Sequence, residues 1–181
     1  MERKQTGVRM YNILMPIFML IWFPSWLWLL LIPANYLIDR LVLRWGLPKG
    51  MEDRKRFLRR NTWKICLAGF LSDFAGSLML FGALLGSDKL PGEWGTRISN
   101  AVSYNPFADP AGLVIVLFAV AVAGSCIFLL DRMILKRAGL EKRDAKRAAL
   151  KLALVTAPYL FLVPSMLLYR STTPPYRRWS L

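Results

Sequence analysis

The sequence predicts an all-α membrane protein whose four transmembrane helices form two tandem helical hairpins. Three observations predict it: apolar blocks of bilayer length, a short motif that recurs at the end of two of them, and basic residues bunched between them. Apolar residues make up 55% of the 181, and runs of roughly 20 of them are long enough to span hydrocarbon. Spans and short connections use up most of the chain, so a single membrane domain is expected.

Four blocks carry the prediction: Tyr11 to Leu43, Trp63 to Leu85, Ala111 to Leu130 and Leu152 to Tyr169. The last three have ordinary span lengths. The first is too long, since a helix of its length would reach about 50 Å against a hydrocarbon core of about 30 Å. The recurring motif decides which part of it crosses. Leu37-Ile-Asp-Arg-Leu-Val-Leu-Arg44 matches Leu129-Leu-Asp-Arg-Met-Ile-Leu-Lys136 with four identities, and each copy closes an apolar block. Each is followed by a charged segment, Glu52 to Arg56 and Lys142 to Arg147, and then by another apolar block. Asp39 therefore corresponds to Asp131, and the first crossing should begin near Leu20. Residues 1–18 become an interfacial or protruding segment, with Pro16 and Pro24 able to break a helix. Trp22, Trp26 and Trp28 then gather at one interface, where indole rings prefer to sit. The expected organisation is residues 20–85 as the first hairpin, 86–110 as an external loop, 111–169 as the second hairpin and 170–181 as a tail.

Basic residues set the orientation. The connection within the first hairpin holds nine Lys or Arg (40, 44, 49, 54, 55, 56, 59, 60 and 64), and that within the second holds eight (132, 136, 137, 142, 143, 146, 147 and 151). The other side has eight in all. By the positive-inside rule both hairpin connections are cytoplasmic, while the termini and the external loop are not. The expected location is the cell membrane, crossed several times. The two hairpins then point the same way, so their pseudo-two-fold axis runs along the membrane normal.

The composition also limits the chemistry. Histidine is absent, which removes the commonest general base and metal ligand. Cys66 and Cys126 both fall inside expected spans, which argues for buried small residues rather than a disulfide. With no clustered carboxylates and no phosphate-binding glycine loop, neither an enzyme nor a cofactor, catalytic or metal site is expected. The formal charge of +14 is attributed to the flanks of membrane spans, not to nucleic-acid binding.

Asp73 is the residue that most needs explaining, because it lies near the middle of an apolar block where a carboxylate costs roughly 2.5 to 3.5 kcal/mol on insertion scales. At 100° per residue, Cys66, Gly69, Ser72, Asp73, Gly76 and Ser77 share one helix face, and bulky Leu and Phe residues occupy the other. Small residues permit close helix approach, so Gly69 and Gly76 are expected to form a packing face with Asp73 turned toward protein. Two roles compete for the carboxyl. It fixes packing by bonding Thr156, Tyr159, Ser165 or a carbonyl freed by Pro158 or Pro164, or it binds a proton, a cation or a basic group of a partner. Near the helix ends, reciprocal pairing of Asp39 with Arg132 and Asp131 with Arg40 is weighed against local snorkelling of the two arginines. Helix rise separates Asp73 from Asp39 and Asp131 in depth, which argues against one shared metal site.

The function expected is that of a structural, accessory or assembly subunit of a larger membrane complex. Its partners would be anionic headgroups, drawn to the basic hairpins, and another membrane protein or a second copy of itself. The alternative is a small oligomeric ion- or proton-coupled transporter or channel that uses Asp73.

Overall fold

A computed structural model describes residues 16–22, 28–165 and 167, and every regular element among them is helical. Residues 1–15, Pro24, Trp26 and the tail 170–181 lie outside the described residues. Five α-helices follow in order: α1 (Trp28–Gly46), α2 (Arg54–Ser87), α3 (Glu93–Ser103), α4 (Pro110–Arg137) and α5 (Lys142–Thr156). Two of them, α2 and α4, are long and apolar enough to cross a membrane.

Helix α2 takes in the whole Trp63 to Leu85 block and continues through the charged segment before it, giving 34 residues and a length of about 50 Å. Helix α4 starts where the sequence supplies a cap and a proline. The Asp109 carboxylate accepts from the backbone N–H groups of Ala111 (2.9 Å) and Gly112 (3.4 Å), and Pro110 has no N–H of its own to satisfy.

The other blocks depart from expectation at their prolines. The fourth does not form one helix from Leu152 to Tyr169, because α5 ends at Thr156. Ala157, which precedes Pro158, is extended (φ −55°, ψ 149°), and the chain continues as a 3-10 turn, Tyr159–Leu162, ahead of Pro164. The proline ring disfavours the helical conformation for the residue before it and removes a hydrogen-bond donor. Near the first block, residues 16–18 do not protrude. They lead into a 3-10 turn, Ile17–Ile21, whose Phe18 is fully buried edge-on to Phe161 at 6.5 Å. The Ile17 N–H donates to Ser165 Oγ at 3.0 Å. The expected tryptophan belt is also redrawn. Trp22 lies against Phe74 (4.7 Å) and Phe81 (5.7 Å) and donates from Nε1 to Ser77 Oγ at 3.0 Å, while Trp28 stacks on Phe70. The external loop is not irregular: α3 packs on α2 and α4, with Ala101 tight against Gly112.

The four longer helices form a ring. Helix α2 packs along α4, α4 along α5 and α5 along α1, and α1 closes the ring against α2. Each motif-bearing helix thus touches the second helix of both hairpins. The two motif copies match in burial at their inner positions: Asp39 and Asp131 are buried, as are Leu43 and Leu135 one turn later. The interior has two apolar centres. One lies at the end that carries both basic connections and is built on Leu43, Leu58, Ile65, Leu135, Ala148 and Leu152. The other, built on Phe18, Leu80, Val116, Ala119 and Phe161, lies under α3.

A candidate acid-lined cavity between the two cores

Asp39 on α1 and Asp73 on α2 line the same partly open cavity of about 300 Å³. Its walls are mostly apolar. Trp28, Leu31 and Ile38 come from α1, Ile17 and Ile21 from the first 3-10 turn, and the chain from Val155 to Phe161 closes the remaining side. Asn35 lies one helical turn before Asp39 and lines the cavity with it, while Cys66 and Gly69 join Asp73 from α2.

Each acid arrives there for a local reason. Asp39, only 5% exposed, belongs to the inner stripe of α1 with Val42, Leu43 and Gly46. Asp73 follows the face expected of it: Cys66, Ser72, Gly76 and Ser77 on that face are buried, whereas Leu67, Leu71, Phe74 and Leu78 are exposed. The break in α5 then leaves space beside both. The C-terminal carbonyls of a helix lack partners within it and carry the negative end of its dipole, so the end of α5 adds a second attraction for positive charge.

Among the described residues no basic side chain lines the cavity or pairs with either acid. Cys66 lines the cavity together with Asp39. Asp73 Oδ1 is buried without a hydrogen-bond partner. Thr156 and Tyr159 also line the cavity but direct their hydroxyls to helix carbonyls, Leu152 at 2.8 Å and Leu154 at 2.7 Å. Ser165 donates to the Ser103 carbonyl instead, at 2.9 Å. Ser72 and Ser77 likewise donate to their own helix, at the carbonyls of Ala68 and Phe74. None of the three hydroxyls proposed for a packing role of Asp73 therefore donates to it.

The interfacial charge pairs do not form either. The ion pair among the described residues is Arg97 with Asp109, at 2.9 Å. Arg40 donates to the Tyr36 hydroxyl, and Arg132 Nε is buried without an acceptor. Asp131 is wholly buried with both carboxyl oxygens unpartnered. Depth along the helices had argued that Asp73 stands apart from the other two; the crossing of α1 over α2 brings Asp39 and Asp73 to one space.

The two glycines of the expected packing face behave differently. A Cβ at Gly76 would lie 3.0 Å from Ala123 Cβ and 3.3 Å from the Ala119 carbonyl oxygen, so this glycine lets α2 and α4 approach closely. A Cβ at Gly69 would meet nothing within 4 Å, because this residue faces the cavity. Sequence reasoning missed Cys66 and Asn35 as members of the site. For Asn35 the signal was present, four residues before Asp39 on the same stripe.

Fold and cavity together define a class: an all-helical bundle with two membrane-length helices and a partly open, acid-lined cavity. Comparisons with protein-family models, with curated proteins and with solved structures find no match for this chain.

Proposed function

We propose that the chain is a four-crossing cell-membrane protein that takes up and releases a proton or small cation at Asp39 and Asp73, as a small self-associating coupled transporter. The observation that carries this reading is the shared cavity. Two carboxyl groups line it, no base among the described residues stands beside them, and the hydroxyls that could have fixed Asp73 as a packing residue are bonded elsewhere. An uncompensated acid at membrane depth must hold a proton, a cation or water. A discontinuous helix next to such acids offers the arrangement by which transporters commonly bind ions. On this reading the chain performs no covalent chemistry and needs no cofactor. The basic connections face the cytoplasm, both termini lie outside, and the two hairpins act as parallel repeats.

Purified protein in proteoliposomes under an imposed pH or cation gradient tests the proposal. Flux above that of empty vesicles is expected for the wild type, and its loss is expected in Asp39→Asn and Asp73→Asn variants that remain folded. Variants that conduct like the wild type sink the idea.

A second reading, an accessory or assembly subunit of a larger membrane complex, is favoured by a separate feature. An outward-facing apolar groove of about 640 Å³ between α1 and α2 is lined by Trp28, Ile32, Tyr36, Trp63 and Phe70 among others, a shape suited to a partner's helix. Native mass spectrometry of the mildly extracted protein distinguishes the two. A reproducible complex with a different polypeptide supports the subunit, whereas a homo-oligomer supports the transporter.

A further inference from the structure

We propose that the groove where the start of α2 meets the end of α4 binds the phosphate headgroup of an anionic phospholipid. The groove is a hollow of about 600 Å³ outside the acid-lined cavity, and four cations line it: Arg56, Arg60 and Lys64 on α2, and Arg137 on α4. The three on α2 recur every four residues and so form one stripe. Only one carboxylate, Asp53, lines the same hollow, and no ion pair joins it to any of the four. Lys64 has the Trp63 ring 5.9 Å away.

The corresponding place on the opposite side of the bundle, where α5 meets the end of α1, is closed by the protein itself. Lys151 sits 4.1 Å over the Trp45 ring and donates to the Trp45 carbonyl at 3.3 Å. One junction satisfies its cation internally, and the other holds four cations around an open space.

Three properties select a lipid headgroup. Arginine forks match phosphate oxygens in charge and geometry. The hollow also has apolar wall at Phe57 and Ile134, which suits the glycerol and upper acyl region. Finally, Lys64 adjoins the apolar block that starts at Trp63, and Arg137 lies two turns beyond the block that ends at Leu130, which is headgroup level for a helix crossing the bilayer. The inference rests on the membrane reading proposed above but not on ion transport.

The test is native mass spectrometry on delipidated protein titrated with phosphatidylglycerol or with phosphatidylcholine of the same acyl chains, with inorganic phosphate as a soluble competitor. The groove variant is Arg60→Gln with Arg137→Gln. The control, Lys142→Gln with Lys146→Gln, removes the same charge from the other basic connection. Wild type should prefer phosphatidylglycerol. The groove variant should bind it about 25-fold more weakly, taking each basic residue near the surface as worth roughly fivefold, and the control should change by less than about twofold. If the groove variant does not fold, Arg137→Gln alone should show about a fivefold loss. Equal loss in both double variants, equal binding of the two lipids, or displacement by millimolar inorganic phosphate overturns the assignment. A chain that leaves washed membranes without detergent overturns the membrane reading itself. One that stays membrane-bound but fails the binding arms overturns the groove alone.

Discussion

Asp39 and Asp131 hold the same place in the two copies of the motif, and each has a buried leucine one turn later, yet their surroundings differ. Asp39 opens on a cavity that it shares with Cys66 and Asp73. Asp131 is sealed, with neither oxygen hydrogen-bonded. The helix that each meets from the other hairpin accounts for the difference. For α4, which carries Asp131, that helix is the unbroken 34-residue α2, whereas for α1, which carries Asp39, it is α5, which stops after 15 residues. The same local sequence thus makes a filled interior in one hairpin and an accessible site in the other, because the helix packed against it either continues or breaks.

The sharpest way to break this comparison is to neutralise the acids. Asp39→Asn combined with Asp73→Asn is expected to reduce proteoliposome flux to the level of empty vesicles, while Asp131→Asn leaves flux in place. Loss in the Asp131 variant alone would reverse the roles assigned to the two copies. Lengthening the acids is the next test. Asp131→Glu adds a methylene to a filled site and should cost about 1–3 kcal/mol in detergent unfolding. Asp39→Glu can extend into the cavity and should cost less than half as much.

Gly76→Ala against Gly69→Ala probes the same contrast along α2. At Gly76 the new methyl crowds α4, and a destabilisation of about 1 kcal/mol is expected after the gain in helix propensity is subtracted. At Gly69 the methyl enters open space, so propensity alone should raise stability by up to about 1 kcal/mol. The smallest effect is expected at the closed junction, where Lys151→Met removes a cation from the Trp45 face and should cost about 0.5–1 kcal/mol. Thermal unfolding in one detergent measures all five stability variants.

Much of α2 was legible beforehand. The period of small and polar residues named the buried face, and the outward leucines followed from the same count. The break in α5 is also written in the chain, at Pro158 and Pro164, although the length of the apolar block taken alone predicts an unbroken span. Helix α3 left a signal too. Gly95, Ile98, Ala101 and Val102 recur at helical spacing in a segment read as loop because glycine and proline surround it. The charge pairs failed for a different reason. Pairing Asp39 with Arg132 assumed that motif helices face each other across the axis, whereas each packs instead on the second helices of the hairpins.

By itself the sequence determined the helical class, the two membrane-length helices, the polar face of α2 and the motif that places an acid on each of α1 and α4. These depend on composition and on a 3.6-residue period, both properties of a contiguous stretch. Only the tertiary structure decided that Asp39 joins Asp73 and that Asp131 stays apart. A cavity is formed where helices cross and one of them ends, and both depend on contacts between residues far apart in the chain.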